Sequence, residues 1–150
     1  LLGLDGIVPP TLDFEVEKRT QAAVLECIRK RLVSACHDCS KGGLGVALAE
    51  MCALGGRGIA VDLNPLFLNE MRPHELLFSE SHSRFILSTE RAEEVLASLS
   101  ASNLLATKVG KVEGKSFDMQ LPHRSIHTDL DSIVDAYGLS LGRILEPWQN

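Results

Sequence analysis

Apolar residues recur along this chain at intervals that change several times, and each change marks a predicted element. Gly6 to Pro10 forms part of an extended leading segment over residues 1–12, because Pro9 and Pro10 fix φ and bias their neighbours away from helix. Asp13 then stands where a helix would begin: its carboxylate can accept from first-turn amides, and Glu15 and Glu17 suit the positive end of the dipole. Leu25, Ile28 and Leu32 recur at helical spacing toward Val33 as the apolar stripe, with Arg29, Lys30 and Arg31 at the negative end. Ser34 to Asp38 has the length and polarity of a buried strand end, and Ser40-Lys41-Gly42-Gly43 makes a tight turn into a second helix. There Leu44, Ala47, Leu48 and Met51 fall at i, i+3, i+4 and i+7, and Gly55-Gly56 supply a left-handed stop.

Gly58 to Leu63 reads as a strand, which Asn64-Pro65 breaks into a loop running to Pro73, with a helical turn from His74 to Phe78. Arg84 to Thr89 alternates as a strand should, and Thr89 with Glu93 starts a helix that Asn103 ends. Ala106–Val112 and Ser116–Leu121 are strand-like runs joined across Glu113-Gly114-Lys115, which predicts an antiparallel hairpin. Leu130, Ile133, Val134, Leu141 and Leu145 predict a closing helix from Thr128 to Leu145, interrupted near Gly138. Helices and strands alternate, yet a hairpin comes late. The expected class is therefore α+β, a mixed, largely antiparallel sheet with helices packed on it, in one domain over residues 1–150.

Composition narrows the function classes. Hydrophobic residues make up 45% and charged residues 23% of the 150, a globular balance long enough for a real core. A formal charge of -5 without a long Lys/Arg cluster argues against a nucleic-acid surface, while leaving room for a small anion bound locally. No apolar run approaches the roughly 20 residues of a membrane-spanning helix, and Leu1-Leu2-Gly3-Leu4 lacks the features of a secretory signal, so a cytoplasmic location is expected. The start at Leu1 without Met leads us to expect a fragment of a longer enzyme. Cys27, Cys36, Cys39 and Cys52 do not have the spacing of a secreted disulfide framework and are expected to be reduced. Cys36-His37-Asp38-Cys39 is formally a C-x-x-C, but zinc needs two further ligands, and helical periodicity points Cys27 and Cys52 into the core. No metal is expected there.

Two segments carry candidate chemistry. His37 to Gly45 brings a carboxylate (Asp38), a hydroxyl (Ser40), a cation (Lys41) and a glycine pair (Gly42, Gly43) to a strand-to-helix junction. Free amides and the dipole favour an anion at such a place, and glycine lets it approach the backbone. The same residues also read as plain architecture, with Ser40 capping the helix, the glycines allowing the turn and Asp38 bonding amides. The second segment, Leu77 to Arg84, bunches Ser79, Glu80, Ser81 and Arg84 before a strand. Its serines and Glu80 suit a ligand's polar groups and Arg84 suits phosphate, or else Glu80 and Arg84 simply pair. The five histidines have no convincing ligand or nucleophile spacing, and His123 and His127 fall in a surface loop after Pro122.

Taken together, His37-Asp38-x-Ser40-x-Gly42-Gly43-Leu44, Ala47-Leu48-Ala49-Glu50 and Leu77-Phe78-Ser79-Glu80-Ser81 with Arg84 resemble the C-terminal domain of the aminoimidazole ribonucleotide synthetase superfamily. Pro9-Pro10, Asp13, Glu17 and Val109-Gly110-Lys111-Val112 follow the same pattern in order. The likeness is closest to the last such domain of phosphoribosylformylglycinamidine synthases. Aminoimidazole ribonucleotide synthetase, selenophosphate synthetase, thiamine-monophosphate kinase and a noncatalytic module are the alternatives. The resemblance implies an ATP- and Mg2+-dependent ligase that converts formylglycinamide ribonucleotide to the amidine, using ammonia from a glutaminase domain or subunit. It also implies that the metal and most ATP ligands lie in N-terminal domains of the same enzyme, so that this domain alone holds no cofactor and is inactive. Asp38, Ser40, Gly42, Gly43, Ser79, Glu80, Ser81 and Arg84 would line the substrate or nucleotide cleft. Lys41 stands where the family commonly has an acidic residue.

Overall fold

The chain is described here by a computed structural model over residues 10–67 and 71–138. Its order is α1 (Phe14–Arg29), β1 (Ala35–Asp38), α2 (Gly43–Gly55), β2 (Ile59–Asp62), a 3-10 turn (Asn64–Leu66), α3 (Pro73–Phe78), β3 (Phe85–Ser88), α4 (Ala92–Ala101), β4 (Gly110–Val112), β5 (Ser116–Leu121), β6 (Arg124–Asp129) and α5 (Leu130–Gly138). Pro9 and the Leu141 and Leu145 of the expected closing helix fall outside the described residues.

The α+β class holds, with the strands divided between two sheets. β1 pairs antiparallel with β3, while the other four run in the order β4-β2-β5-β6. β2 is antiparallel to β4 and parallel to β5. The hairpin expected across residues 113–115 is therefore absent: β4 and β5 lie on opposite sides of β2. Gly110 permits this arrangement, since a Cβ there would fall 2.1 Å from the Ala60 carbonyl oxygen of β2. The hairpin that does form joins β5 to β6 through Pro122 and His123, whose φ of 63° makes the turn, and His127 lies on β6 rather than in a loop.

Two apolar clusters hold these elements together. The larger gathers Leu48 and Cys52 of α2, Ile59, Val61 and Leu63 at β2, Leu76 and Leu77 of α3, and Phe117, Met119 and Leu121 of β5, closed by Leu130. Alternation along β2 and β5 puts every second residue into it. The smaller joins Ala23 and Cys27 of α1 to Leu32 and to Val95 and Leu99 of α4. β3 lies between them, sending Ile86 to the larger cluster and Leu87 to the smaller.

Local signals explain the helix ends. Asp13 accepts from the amides of Glu15 and Val16 at 3.0 Å each, and Gly56 closes α2 in the left-handed conformation. Asn103, also left-handed, follows α4. Thr89 does not start α4 directly: its hydroxyl accepts from Arg91 and donates to the Leu32 carbonyl, and Arg91 is the cap position.

The apolar stripe expected on α1 is corrected. Leu25 and Ile28 are 43% and 44% exposed; the buried face is Thr20, Ala23, Val24 and Cys27, of which Ala23 and Cys27 pack with Val95 and Leu99 of α4. Small residues let two helices approach closely, so periodicity of the large aliphatics named the wrong face. β1 is corrected too, since its ends, Ala35 and Asp38, are exposed. Among the described residues no helix is long and apolar enough to cross a membrane.

Candidate functional site

The two polar segments meet. The turn after β1 and the loop between α3 and β3 line one open cleft of about 500 Å3, to which α1 adds Glu17 and Gln21. Asp38, Ser40, Glu80, Ser81 and Arg84 line it, as does Lys41, whereas Gly42, Gly43 and Ser79 are not among its lining residues. The β1–β3 register brings the segments together: Asp38 is opposite Phe85, and the Cys39 amide continues the ladder to the Arg84 carbonyl at 3.0 Å.

At the turn, Gly42 is the cap of α2 with φ 77° and Gly43 follows at 68°, both in the left-handed region open mainly to glycine. A Cβ on Gly43 would lie 2.6 Å from the Ser79 carbonyl oxygen and 2.7 Å from that of Leu77, so the helix starts hard against the end of α3. Ser40 makes no side-chain capping bond, contrary to the architectural expectation; only its carbonyl engages the turn, accepting from the Gly43 amide at 3.2 Å. The anion at this helix start is Glu80, whose Oε1 accepts from the Gly42 amide at 2.9 Å across 38 residues of sequence. The Gly42 amide at this helix start is thus met by a carboxylate of the chain itself.

Arg84 is occupied as well. Its guanidinium donates to the carbonyl oxygens of Ser79, Ser81 and Leu76, a pattern that stitches the loop to α3. Neither the Glu80–Arg84 ion pair nor the amide bonds expected of Asp38 is made. Asp38, 62% exposed, instead stands 4.0 Å from His37 Nδ1, while His37 Nε2 is 3.3 Å from Glu50 on α2. Glu17 reaches across from α1 to accept from the Ser83 hydroxyl, and that bond, with a second from Gln21, holds its carboxyl below the ordinary range. Neither Gln21 nor Ser83 stood out in the sequence, and Glu17 had only its place in the family pattern; its cleft role depends on a contact 66 residues away.

The cleft therefore carries three carboxylates, Glu17, Asp38 and Glu80, against Lys41 and Arg84. Lys41 makes no ion pair among the described residues, so it is the cation left to meet an incoming anion. No group of three His, Cys, Asp or Glu side chains suited to a metal ion occurs among the described residues. Burial raises the thiol pKa of Cys39 first, with Asp38 adding to the effect and Arg84 opposing it, and burial also raises that of Cys36. Both remain free thiols.

Residues 5–121 match the family described as AIR synthase related protein, C-terminal domain. Phosphoribosylformylglycinamidine synthase subunit PurL of Moorella thermoacetica is 37% identical over 149 residues, 98% of this chain and 18% of the relative. The subunit of the same description from Thermococcus kodakarensis is 46% identical over 98 residues, 64% of this chain and 14% of the relative. The chain thus spans less than a fifth of the length of these two relatives. Among solved structures, Thermotoga maritima PurL complexed with FGAR superposes with a TM-score of 0.73 at 26% identity, over 83% of this chain and 22% of that one. T. maritima PurL complexed with ADP gives 0.72 at 28% identity, over 87% and 23%. With the family match covering the β1–α2 turn, the Ser79–Arg84 loop and the whole β2–β5 core, the chain belongs to the AIR synthase related C-terminal domain family.

Proposed function

We propose that this chain is the C-terminal domain of a phosphoribosylformylglycinamidine synthase and supplies one wall of its substrate or nucleotide cleft. The reaction is ATP-dependent phosphorylation of the amide oxygen of formylglycinamide ribonucleotide, followed by displacement of phosphate by ammonia to give the amidine. The observation that supports this reading most is the convergence of the turn 38–43 with the loop 79–84 on one cleft, with Glu80 bonded to the Gly42 amide. Relatives of the same description, and PurL structures with FGAR, ATP and ADP, agree with it.

In this reading Lys41 meets phosphate, while Ser40 and Ser81 bond a ligand's hydroxyl or phosphoryl oxygens. The exposed Asp38 would face the metal-bound nucleotide, with the Mg2+ ligands and most nucleotide contacts coming from the N-terminal domains of the enzyme. A glutaminase partner is part of the proposal and is supported by a solved T. maritima PurLQS assembly.

The intramolecular bonds of Glu80 and Arg84 favour one second reading, in which the loop braces α2 and no ligand touches these two residues. Amide chemical-shift titration of the chain with ATP, formylglycinamide ribonucleotide and inorganic phosphate at low salt separates the two. Saturable shifts at both 38–43 and 79–84, weakened in Lys41→Glu, are the expected result. If neither segment responds to any of the three, the cleft assignment fails and the brace stands.

A further inference from the structure

The strand end that carries Asp38 is tied to α2 by a contact that the lining of the cleft does not explain. The Cys39 amide donates to the Arg84 carbonyl, so the trans peptide it belongs to turns the Asp38 carbonyl away from β3, toward an edge of β1 that no further strand covers among the described residues. His37 meets that oxygen. Its Nδ1 lies 2.6 Å from the Asp38 carbonyl and 4.0 Å from the Asp38 carboxylate. A carbonyl oxygen only accepts, so Nδ1 donates and carries a proton. The other ring nitrogen, Nε2, stands 3.3 Å from the carboxylate of Glu50, about two turns into α2. The His37 and Glu50 side chains are 24% and 28% exposed, so solvent and salt screen this contact less than they screen a surface pair.

We propose that His37 and Glu50 are positioning residues of the cleft, bridging the turn 38–43 at its base so that Asp38, Ser40 and Lys41 are held in place before a ligand arrives. His37 precedes the turn and Glu50 follows it, so one ring between the Asp38 carbonyl and α2 fixes both ends. A ring with both protons satisfies the two contacts at once, whereas a neutral ring satisfies only the carbonyl. Asp38 and Glu50 are the charged groups that face it, since Ile86, its opposite on β3, carries none. Holding the turn in one shape removes part of the ordering cost that a ligand otherwise meets on binding. This consequence for binding rests on the cleft assignment above; the bridge itself does not.

Nitrogen spectra of the His37 ring and of the backbone amides test this on the whole chain without a ligand. At alkaline pH the ring should give up its Nε2 proton and keep the one on Nδ1, the reverse of an unconstrained histidine. In His37→Ala the amide resonances of Cys39 to Gly43 should move and their hydrogen exchange should quicken, while those of α1 and α4 stay in place. His37→Asn, which puts an N–H where Nδ1 stood, should recover most of both, and Glu50→Gln should disturb the turn less than His37→Ala does. The dissociation constant for inorganic phosphate, read from the same amides, should rise several-fold in His37→Ala and return toward wild type in His37→Asn. A neutral ring protonated on Nε2, a turn unmoved by His37→Ala, or a His37→Asn chain no better than His37→Ala overturns the proposal. The ring signature needs no variant, so it stays decisive if His37→Ala does not fold. A wild-type turn silent toward phosphate, ATP and formylglycinamide ribonucleotide removes the cleft assignment instead, and the ring and exchange readouts still decide the bridge.

Discussion

The two halves of this domain are held by different means. Around α2, α3 and the four-stranded sheet, eleven buried residues form one cluster in which Leu63 and Leu121 are 0% and 1% exposed. Around α1, α4 and the β1–β3 pair the buried set is five, and every residue of β3 is only half-buried. Polar contacts bind that half instead: Asp13 at its first helix, Thr89 to Leu32, Ser83 to Glu17 and Ser34 to Ser88. The cleft opens where the halves meet, with the turn into α2 anchored on the apolar half and Glu17 offered by the polar one. A rigid floor and a more easily adjusted wall follow from that division.

The division predicts unequal costs for equal changes. Leu63→Ala should destabilise by about 2–5 kcal/mol, and Leu99→Ala, in the smaller cluster, should fall at or below the lower end of that range. Urea denaturation of both variants checks the order, and a larger loss at Leu99 would break the comparison. Next comes the junction. Gly43→Ala forces a Cβ against two carbonyl oxygens in a left-handed conformation and should cost about 2 kcal/mol or more. Gly55→Ala on the same helix, where a Cβ meets nothing within 4 Å, should be neutral or stabilising by up to about 1 kcal/mol.

Helix starts sharpen the contrast further. Asp13→Ala removes a carboxylate that two amides of α1 donate to and should lower stability by about 1 kcal/mol. Ser40→Ala removes no capping bond from α2 and should stay within about 0.5 kcal/mol of wild type. Thermal melts of the pair suffice, and equal losses would mean that Ser40 does cap.

The smallest expected effect is a pH dependence in the polar half. Bonds from Ser83 and Gln21 depress the Glu17 pKa in the folded state. Their stabilisation is therefore present above the ordinary carboxylate value of about 4.3 and is lost as pH falls through the folded value. The urea midpoint of wild type should exceed that of Ser83→Ala at pH 7, and the gap should close toward pH 3. A gap that is constant or widens in acid would remove Glu17 from the account.

What could be read from the chain alone divides along the same line. Asp13, Gly56, Asn103 and the Leu44, Ala47 and Leu48 stripe act within a few residues of their own position and do what local chemistry predicts, whereas Met51 stays half-buried and Cys52 takes the core place beside it. The hairpin across residues 113–115 failed because β2, more than 45 residues upstream, inserts between β4 and β5, and no local turn signal encodes a parallel neighbour. On α1 the inward reading of Cys27 held, while Leu25 and Ile28 named an exposed face, because close packing against α4 rewards small residues such as Ala23. Both cleft segments were legible as polar clusters, the first beside a glycine pair, and through their family resemblance. Their contact through Gly42 and Glu80 was not, because a bond between distant residues exists only once β1 and β3 have paired.

The cysteines give this two-part construction a clock. Cys27 lies at 0% exposure in the smaller cluster and Cys52 at 2% in the larger, while Cys36 keeps part of its surface in water. A thiol reagent can reach the first two only when their surroundings open, so the rate at which each is labelled counts openings of its own half. Labelling of Cys27 should run ahead of Cys52 wherever the polar half breathes independently, and the two should converge where the domain opens as one. With Cys36 as the internal standard for reagent access, a single native chain reports how loosely the wall of its cleft is hung on the floor.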